Sequence, residues 1–156
     1  MIRLPAALAE PRHPLRAIFA GWLIAFFPSI LLAALAQWLL PEAGRPSFEV
    51  AGLETVALLV LFAPLIETLI MAAVIEVLLR FLPPRAAILL SAVGWGIAHS
   101  WVAPAWGLVI WWPFLIFSTL YVTWSRRSVL AALAIVFAVH ALQNLGPSLL
   151  LLQAMA

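Results

Sequence analysis

Long apolar stretches occupy most of this chain, and they constrain its fold more than any other feature. A bilayer core about 30 Å thick is crossed by a helix of about 20 apolar residues. Prolines and charged residues divide the chain into stretches of roughly that length, over residues 15–40, 54–82, 86–102, 105–124 and 128–152. We therefore predict an all-α fold, a polytopic transmembrane helical bundle of about five membrane-spanning helices. Residues 1–156 would form a single integral membrane domain in the lipid bilayer.

The composition excludes several classes of function. Of the 156 residues, 67% are apolar and 9% are charged, so any chemistry must lie in or at the membrane. The chain has no cysteine, which excludes disulfides, thiol nucleophiles and thiolate metal sites. Its formal net charge is only +2 and its arginines are scattered, so we expect no nucleic-acid partner. The oligomeric state does not follow from the sequence.

The arginines predict how the bundle is oriented. Seven of the eight lie at the start of the first span or before it, or where spans two and three and spans four and five meet: Arg3, Arg12, Arg16, Arg80, Arg85, Arg126 and Arg127. By the positive-inside rule this predicts a cytoplasmic N-terminus. We expect the membrane to be a bacterial-type plasma (inner) membrane. A signal peptide cleaved after the small residues at 34–36 is the alternative. The apolar stretch is long for a signal peptide, which favours an uncleaved first helix.

Polar side chains inside three of the spans fall at one predicted depth. At 1.5 Å per residue, Glu67 lies about 22 Å, His99 about 20 Å and His140 about 18 Å from the arginine-rich side. Asn144 lies one turn beyond His140. Ionisable groups are expensive inside a membrane, so these positions indicate a single buried functional site. A histidine or asparagine considered alone could instead be an interhelical hydrogen-bond partner.

These four side chains suit two kinds of hydrolytic chemistry. A sheltered carboxylate beside an imidazole can act as a general base or acid, and His140 and Asn144 share a helix face from which both can donate to an oxyanion. Glu67, His99 and His140 are also a common catalytic zinc set. The chain contains no aspartate, no His-Glu-x-x-His and no Gly-x-Ser-x-Gly. A glutamate-and-histidine scheme therefore remains among the intramembrane hydrolases.

Three short motifs follow one another over residues 63–149. Glu67 lies in "APLIETLIM", His99 ends "WGIAH", and "HALQN" runs from His140 to Asn144. In order and spacing they resemble the motifs of the CAAX-protease and bacteriocin-processing family of intramembrane proteases, related to the type II CAAX prenyl endopeptidase. The resemblance implies an endopeptidase acting on a membrane-associated protein or peptide. Glu67 and His99 would activate water and His140 and Asn144 would stabilise the oxyanion, with either a divalent metal such as zinc or no metal.

The sequence departs from the family pattern at three positions. Thr68 and Ala72 stand where the family has a second glutamate and an arginine, and Trp95 replaces a phenylalanine. Loss of residues that orient an active group typically lowers activity about 10- to 100-fold. A rival hypothesis is therefore a non-catalytic relative that binds a partner in the same cavity, as an immunity or scaffolding factor. Ion translocation is a third hypothesis, disfavoured because no inverted repeat is apparent.

Two further expectations concern packing. Glu76 precedes Arg80 by four residues, which predicts an ion pair at the surface of one helix. Gly94, Gly96 and Ala98 remove side-chain bulk next to His99. We expect them to let another helix approach closely.

Overall fold

The computed structural model describes residues 5–43 and 52–154, and within these ranges the chain is helical with no strand. Arg3, one of the arginines used to predict the orientation, lies outside the described residues. The helices are α1 (Ala6–Ala9), α2 (Pro14–Leu39), α3 (Leu53–Ala57), a π-helix (Leu58–Phe62), α4 (Ala63–Leu78), α5 (Pro84–Ser100), α6 (Gly107–Ser125) and α7 (Val129–Ala154). The predicted all-α class is confirmed.

Within the described ranges, four helical stretches are long and apolar enough to cross a membrane: Pro14–Leu39, Leu53–Leu78, Gly107–Ser125 and Val129–Gln153. Helix α5 has 17 residues, which is at the short end of the range for a spanning helix. Its crossing therefore stays a prediction. The second predicted span runs to residue 82, whereas α4 ends at Leu78, because Pro83 and Pro84 disfavour helical backbone before them.

Helix α6 forms the centre of the bundle. It packs against α2, α4, α5 and α7, and its side chains Phe114, Phe117 and Leu120 are almost completely buried. The outer helices point large apolar side chains outward, including Phe27 and Leu31 of α2. An apolar exterior of this extent is suited to lipid and not to water. The chain is therefore an integral membrane protein whose most enclosed helix is α6.

Glycines determine how closely α5 approaches α6. A Cβ atom added to Gly107 would collide with the carbonyl oxygen of Gly96 and the hydroxyl of Ser100, and one added to Gly96 would lie 3.0 Å from the Cβ of Trp111. Gly94 faces open space instead, and Ala98 is exposed. The expectation of close helix approach is thus met at Gly96 and is wrong for Gly94 and Ala98, because the 3.6-residue period turns those two outward.

Glu76 is bound across the bundle and not along its own helix. The hydroxyl of Tyr121 on α6 donates to Glu76 Oε1 at 2.9 Å. Among the described residues Glu76 forms no ion pair with Arg80, so that prediction is wrong. Arg80 lies in the turn after Leu78, where the spacing of a helix no longer brings residues four apart together.

Candidate active site

Three helices bring Glu67, His99 and His140 into contact. Glu67 lies on α4, His99 in the last turn of α5, and His140 near the middle of α7. Glu67 Oε2 is 3.4 Å from His140 Nε2, and Glu67 Oε1 is 3.9 Å from His99 Nε2. Each oxygen of one carboxylate therefore faces the Nε2 atom of a different imidazole ring, as the common depth of these residues led us to expect.

The three side chains differ in how far they are enclosed. The exposed fraction is 25% for Glu67, 11% for His99 and 4% for His140. Glu67 is therefore the group that a water molecule or a substrate reaches first. His140 lies behind it, closed in by the protein.

The orientation of His99 is fixed by its own helix and by aromatic rings. Its Nδ1–H donates to the carbonyl oxygen of Trp95 at 2.9 Å, and its ring meets Trp106 edge-on with the centroids 4.8 Å apart. Because a carbonyl only accepts hydrogen bonds, the proton of the neutral ring lies on Nδ1. The lone pair of Nε2 is then directed towards Glu67.

Phe114 holds both imidazole rings from the core side. Its ring centroid is 5.8 Å from that of His99 and 5.4 Å from that of His140. Trp95 belongs to the same cluster: its ring stacks on Phe114, with the centroids 4.3 Å and the planes 15° apart. Trp95, which stands where the family motif has a phenylalanine, thus takes part in packing the site. Its indole ring does not separate the two histidines.

A cavity of about 370 Å³ adjoins the carboxylate. Its polar lining includes Glu67, His99, His140, Gln143 and Asn144, so the four residues singled out in the sequence all border one space. Apolar side chains form most of the remaining wall: Phe26, Ile30, Leu59, Ile110, Phe114, Phe117 and Leu151. Such a chamber, apolar with a few convergent polar groups, is typical of a ligand or active site.

Asn144 is partly engaged in holding the backbone of a neighbouring helix. In the π-helix, the N–H of Ala63 bonds to the Leu58 carbonyl five residues back. In the same register the Leu59 carbonyl would be bonded by residue 64, which is proline and has no N–H. The amide nitrogen of Asn144 donates to that carbonyl at 2.9 Å. Asn144 therefore replaces a backbone hydrogen bond that Pro64 removes.

The two departures in the first motif lie on the buried face of α4. Thr68 is 2% exposed and Ala72 is 6% exposed, so both point into the bundle. A glutamate and an arginine could be accommodated there only as a buried pair. In this chain small neutral residues fill the space, and the titratable side chains beside Glu67 are histidines instead. The Thr68 hydroxyl has no hydrogen-bond partner in the described part of the chain, and nothing in the structure explains it.

Glu67, His99 and His140 are the side chains that would hold a metal ion at this site. Imidazole nitrogens and a carboxylate are suitable donors for zinc. Across residues 5–43 and 52–154, however, no group of three histidine or glutamate side chains is arranged to hold one ion.

Sequence reasoning missed Gln143. It borders the cavity one turn beyond His140, yet the family motif directs attention to its neighbour Asn144. An amide inside a membrane span on the same helix face as a histidine was the available signal.

Comparisons with known protein families, with curated proteins and with solved structures find no match to this chain. Family membership therefore stays a prediction from the three motifs.

Proposed function

We propose that this chain is an intramembrane endopeptidase of the CAAX-protease and bacteriocin-processing type. It would lie in a plasma membrane with its N-terminus in the cytoplasm and hydrolyse a peptide bond of a membrane-associated protein or peptide. The observation that carries the proposal is the Glu67 carboxylate, placed between two histidine Nε2 atoms at the edge of an apolar cavity.

Water activation follows from the two acceptors that face each other. Glu67 Oε1 and His99 Nε2 are 3.9 Å apart, and the two O–H groups of one water molecule, each forming a bond of about 2.8 Å, reach acceptors at that separation. Glu67 takes a proton as the water oxygen attacks the carbonyl carbon of the substrate. The same carboxyl group then gives the proton to the leaving nitrogen as the C–N bond breaks.

His140 and Asn144 have supporting roles in this scheme. His140 Nε2 lies 3.4 Å from Glu67 Oε2, so a proton on Nε2 orients the carboxylate and leaves Oε1 for water. Asn144 uses one N–H for Leu59, and its second amide N–H is available for the oxyanion that forms during attack. In this scheme Asn144 donates to the oxyanion and His140 orients Glu67, whereas the family resemblance assigns the oxyanion to both residues.

The buried positions of Thr68 and Ala72 favour a second candidate function. Without the usual acidic and basic partners, the same cavity would bind a membrane protein or peptide without cleaving it. In that case this chain would be an immunity or scaffolding factor. Binding would then depend on the shape of the apolar wall and not on the charge of Glu67.

Hydrolysis is tested with purified protein in liposomes and a library of quenched-fluorescent apolar peptides. Glu67→Gln is expected to lower kcat about 10²- to 10⁴-fold, because it removes the general base. Glu54→Gln is the matched control, since Glu54 is exposed at the start of α3. Equal cleavage by wild type and Glu67→Gln would refute the protease proposal. Peptide binding without cleavage, unchanged in Glu67→Gln, would favour the binding function.

Metal dependence is decided in the same assay. We expect cleavage within about twofold of the untreated rate after treatment with 1,10-phenanthroline, since Glu67 and His99 face one water position by themselves. Zinc analysis of the active sample accompanies the assay. Loss of activity that added zinc restores would instead assign Glu67, His99 and His140 to a metal.

A further inference from the structure

Gln143 is a buried amide with no partner. Its side chain is 9% exposed, and its Oε1 atom is fully enclosed without a hydrogen bond among the described residues. Buried polar groups in proteins are nearly always bonded, so an unbonded amide calls for an explanation. Gln143 borders the same cavity as Glu67. Because Oε1 is enclosed, Nε2 is the end of the amide that a ligand in that cavity can meet, and Nε2 forms no hydrogen bond within the described residues.

The position of Gln143 relates it to the reacting atoms. It follows His140 by three residues on α7, which is about 4.5 Å along the helix axis and on the same face. His140 in turn contacts the Glu67 carboxylate at 3.4 Å. Gln143 therefore lies one turn from the imidazole that contacts the carboxylate, and Gln143 and Glu67 line the same cavity.

The donors that the motifs suggested are already partly used. His140 Nε2 faces Glu67, and one N–H of Asn144 is given to the Leu59 carbonyl. Oxyanion sites commonly present two donors to the developing charge. Asn144 has one N–H left for this purpose, so one donor is missing.

We infer that Gln143 is a catalytic residue that donates a hydrogen bond from Nε2 to the oxyanion, beside Asn144. The inference rests on the proposed hydrolysis. As the water oxygen bonds to the carbonyl carbon, the π electrons move to the carbonyl oxygen, and the Gln143 N–H stabilises that negative charge. No proton passes to or from Gln143. The electrons return when the C–N bond breaks and Glu67 protonates the amine.

The test uses full-length protein in liposomes and the library peptide that wild type cleaves fastest. Gln143→Met keeps the length of the side chain and removes its N–H groups, and we expect kcat to fall about 10²- to 10³-fold with KM within about twofold. A phosphinate version of the same peptide mimics the tetrahedral oxyanion, and its affinity should fall by a similar factor. Gln153→Met, at an exposed position of α7, is the control and should change neither value.

A second substitution guards against misfolding. Gln143→Leu also removes the donor and is readily accommodated in an apolar span, and it should lose kcat as strongly as Gln143→Met. If either variant is folded and keeps wild-type kcat while Glu67→Gln is inactive, the role of Gln143 is refuted and hydrolysis stands. If wild type cleaves no peptide in the library, the proposed function fails and the role of Gln143 with it. Loss confined to KM, with unchanged phosphinate affinity, would also refute an oxyanion role.

Discussion

Asn144 shows how one side chain can serve both the backbone and the site. Its amide donates to the Leu59 carbonyl, which Pro64 leaves without a helical partner. Trp112 does the same for α2: its indole N–H donates at 2.8 Å to the Ile24 carbonyl, four residues before Pro28. In lipid no water is available for such carbonyls, so a neighbouring helix must bond them.

Replacing Asn144 should therefore destabilise the bundle as well as reduce activity. We expect Asn144→Leu to lower the free energy of unfolding by about 1 kcal/mol, which is in the range for interhelical hydrogen bonds in membranes. Pro64→Ala restores an N–H at residue 64, and in that background Asn144→Leu should cost measurably less. Unfolding in mixed micelles of the four proteins of this cycle measures the coupling. Equal costs in both backgrounds would contradict the link between Asn144 and Pro64.

At the scale of whole helices, the α5–α6 contact fixes the position of His99. His99 lies one turn beyond Gly96 on α5, and Gly96 is the residue that meets Gly107 and Trp111 of α6. Any side chain between these helices would move the end of α5 away from the core. Glu67 and His140 lie on other helices, so they would not move with the end of α5, and His99 would separate from them.

Gly107→Ala is expected to lower both stability and activity. The added methyl group has no space against the Gly96 carbonyl and Ser100, and overpacking of this kind typically costs about 1–3 kcal/mol. Cleavage should fall with it, since Glu67 Oε1 and His99 Nε2 would no longer face one water molecule. Gly94→Ala provides the control, because its Cβ would meet open space and should change neither property. Wild-type unfolding and cleavage by Gly107→Ala would show that α5 does not depend on this contact.

Helices could be predicted from the sequence much better than hydrogen-bond partners could. The lengths of the apolar stretches gave the helical elements, and a rise of 1.5 Å per residue brought Glu67, His99 and His140 to one level. Partners depend on where each helix turns and ends. The π-helix before Pro64 redirects Asn144, and the end of α4 at Leu78 separates Glu76 from Arg80. Neither event leaves a periodic signal in the sequence.

At the scale of the whole molecule, the arginine-rich segments gather at one end. Arg127 Nη1 donates to the Pro11 carbonyl at 3.1 Å, which joins the loop after α6 to the N-terminal segment. Tyr121, near the end of α6, bonds to Glu76, near the end of α4, so the loop that contains Arg80 lies at the same end. The distribution of arginines along the sequence thus becomes a basic end of the folded bundle. We expect that end to face the cytoplasm.

The number of times the chain crosses the bilayer depends on whether α5 spans it. Ser118 donates to Ser91 across the contact, and Gly96 meets Gly107, so α5 and α6 run antiparallel. Helix α6 is long enough to span and ends at the basic end, beside Arg126. Helix α5 begins at that end and leads to the start of α6. The two helices therefore cover the same depth, and we expect α5 to cross despite its 17 residues.

Single-cysteine labelling tests this topology directly, because the chain contains no cysteine of its own. In intact bacterial cells an impermeant maleimide should label Val102→Cys and Glu42→Cys, and it should reach Phe81→Cys and Arg126→Cys only after permeabilisation. All four positions are exposed. Labelling of Phe81→Cys and Val102→Cys from one side would mean that α5 does not cross. A reversed pattern at all four positions would keep the five crossings and invert the protein, which would place the basic end outside and contradict the orientation predicted from its arginines.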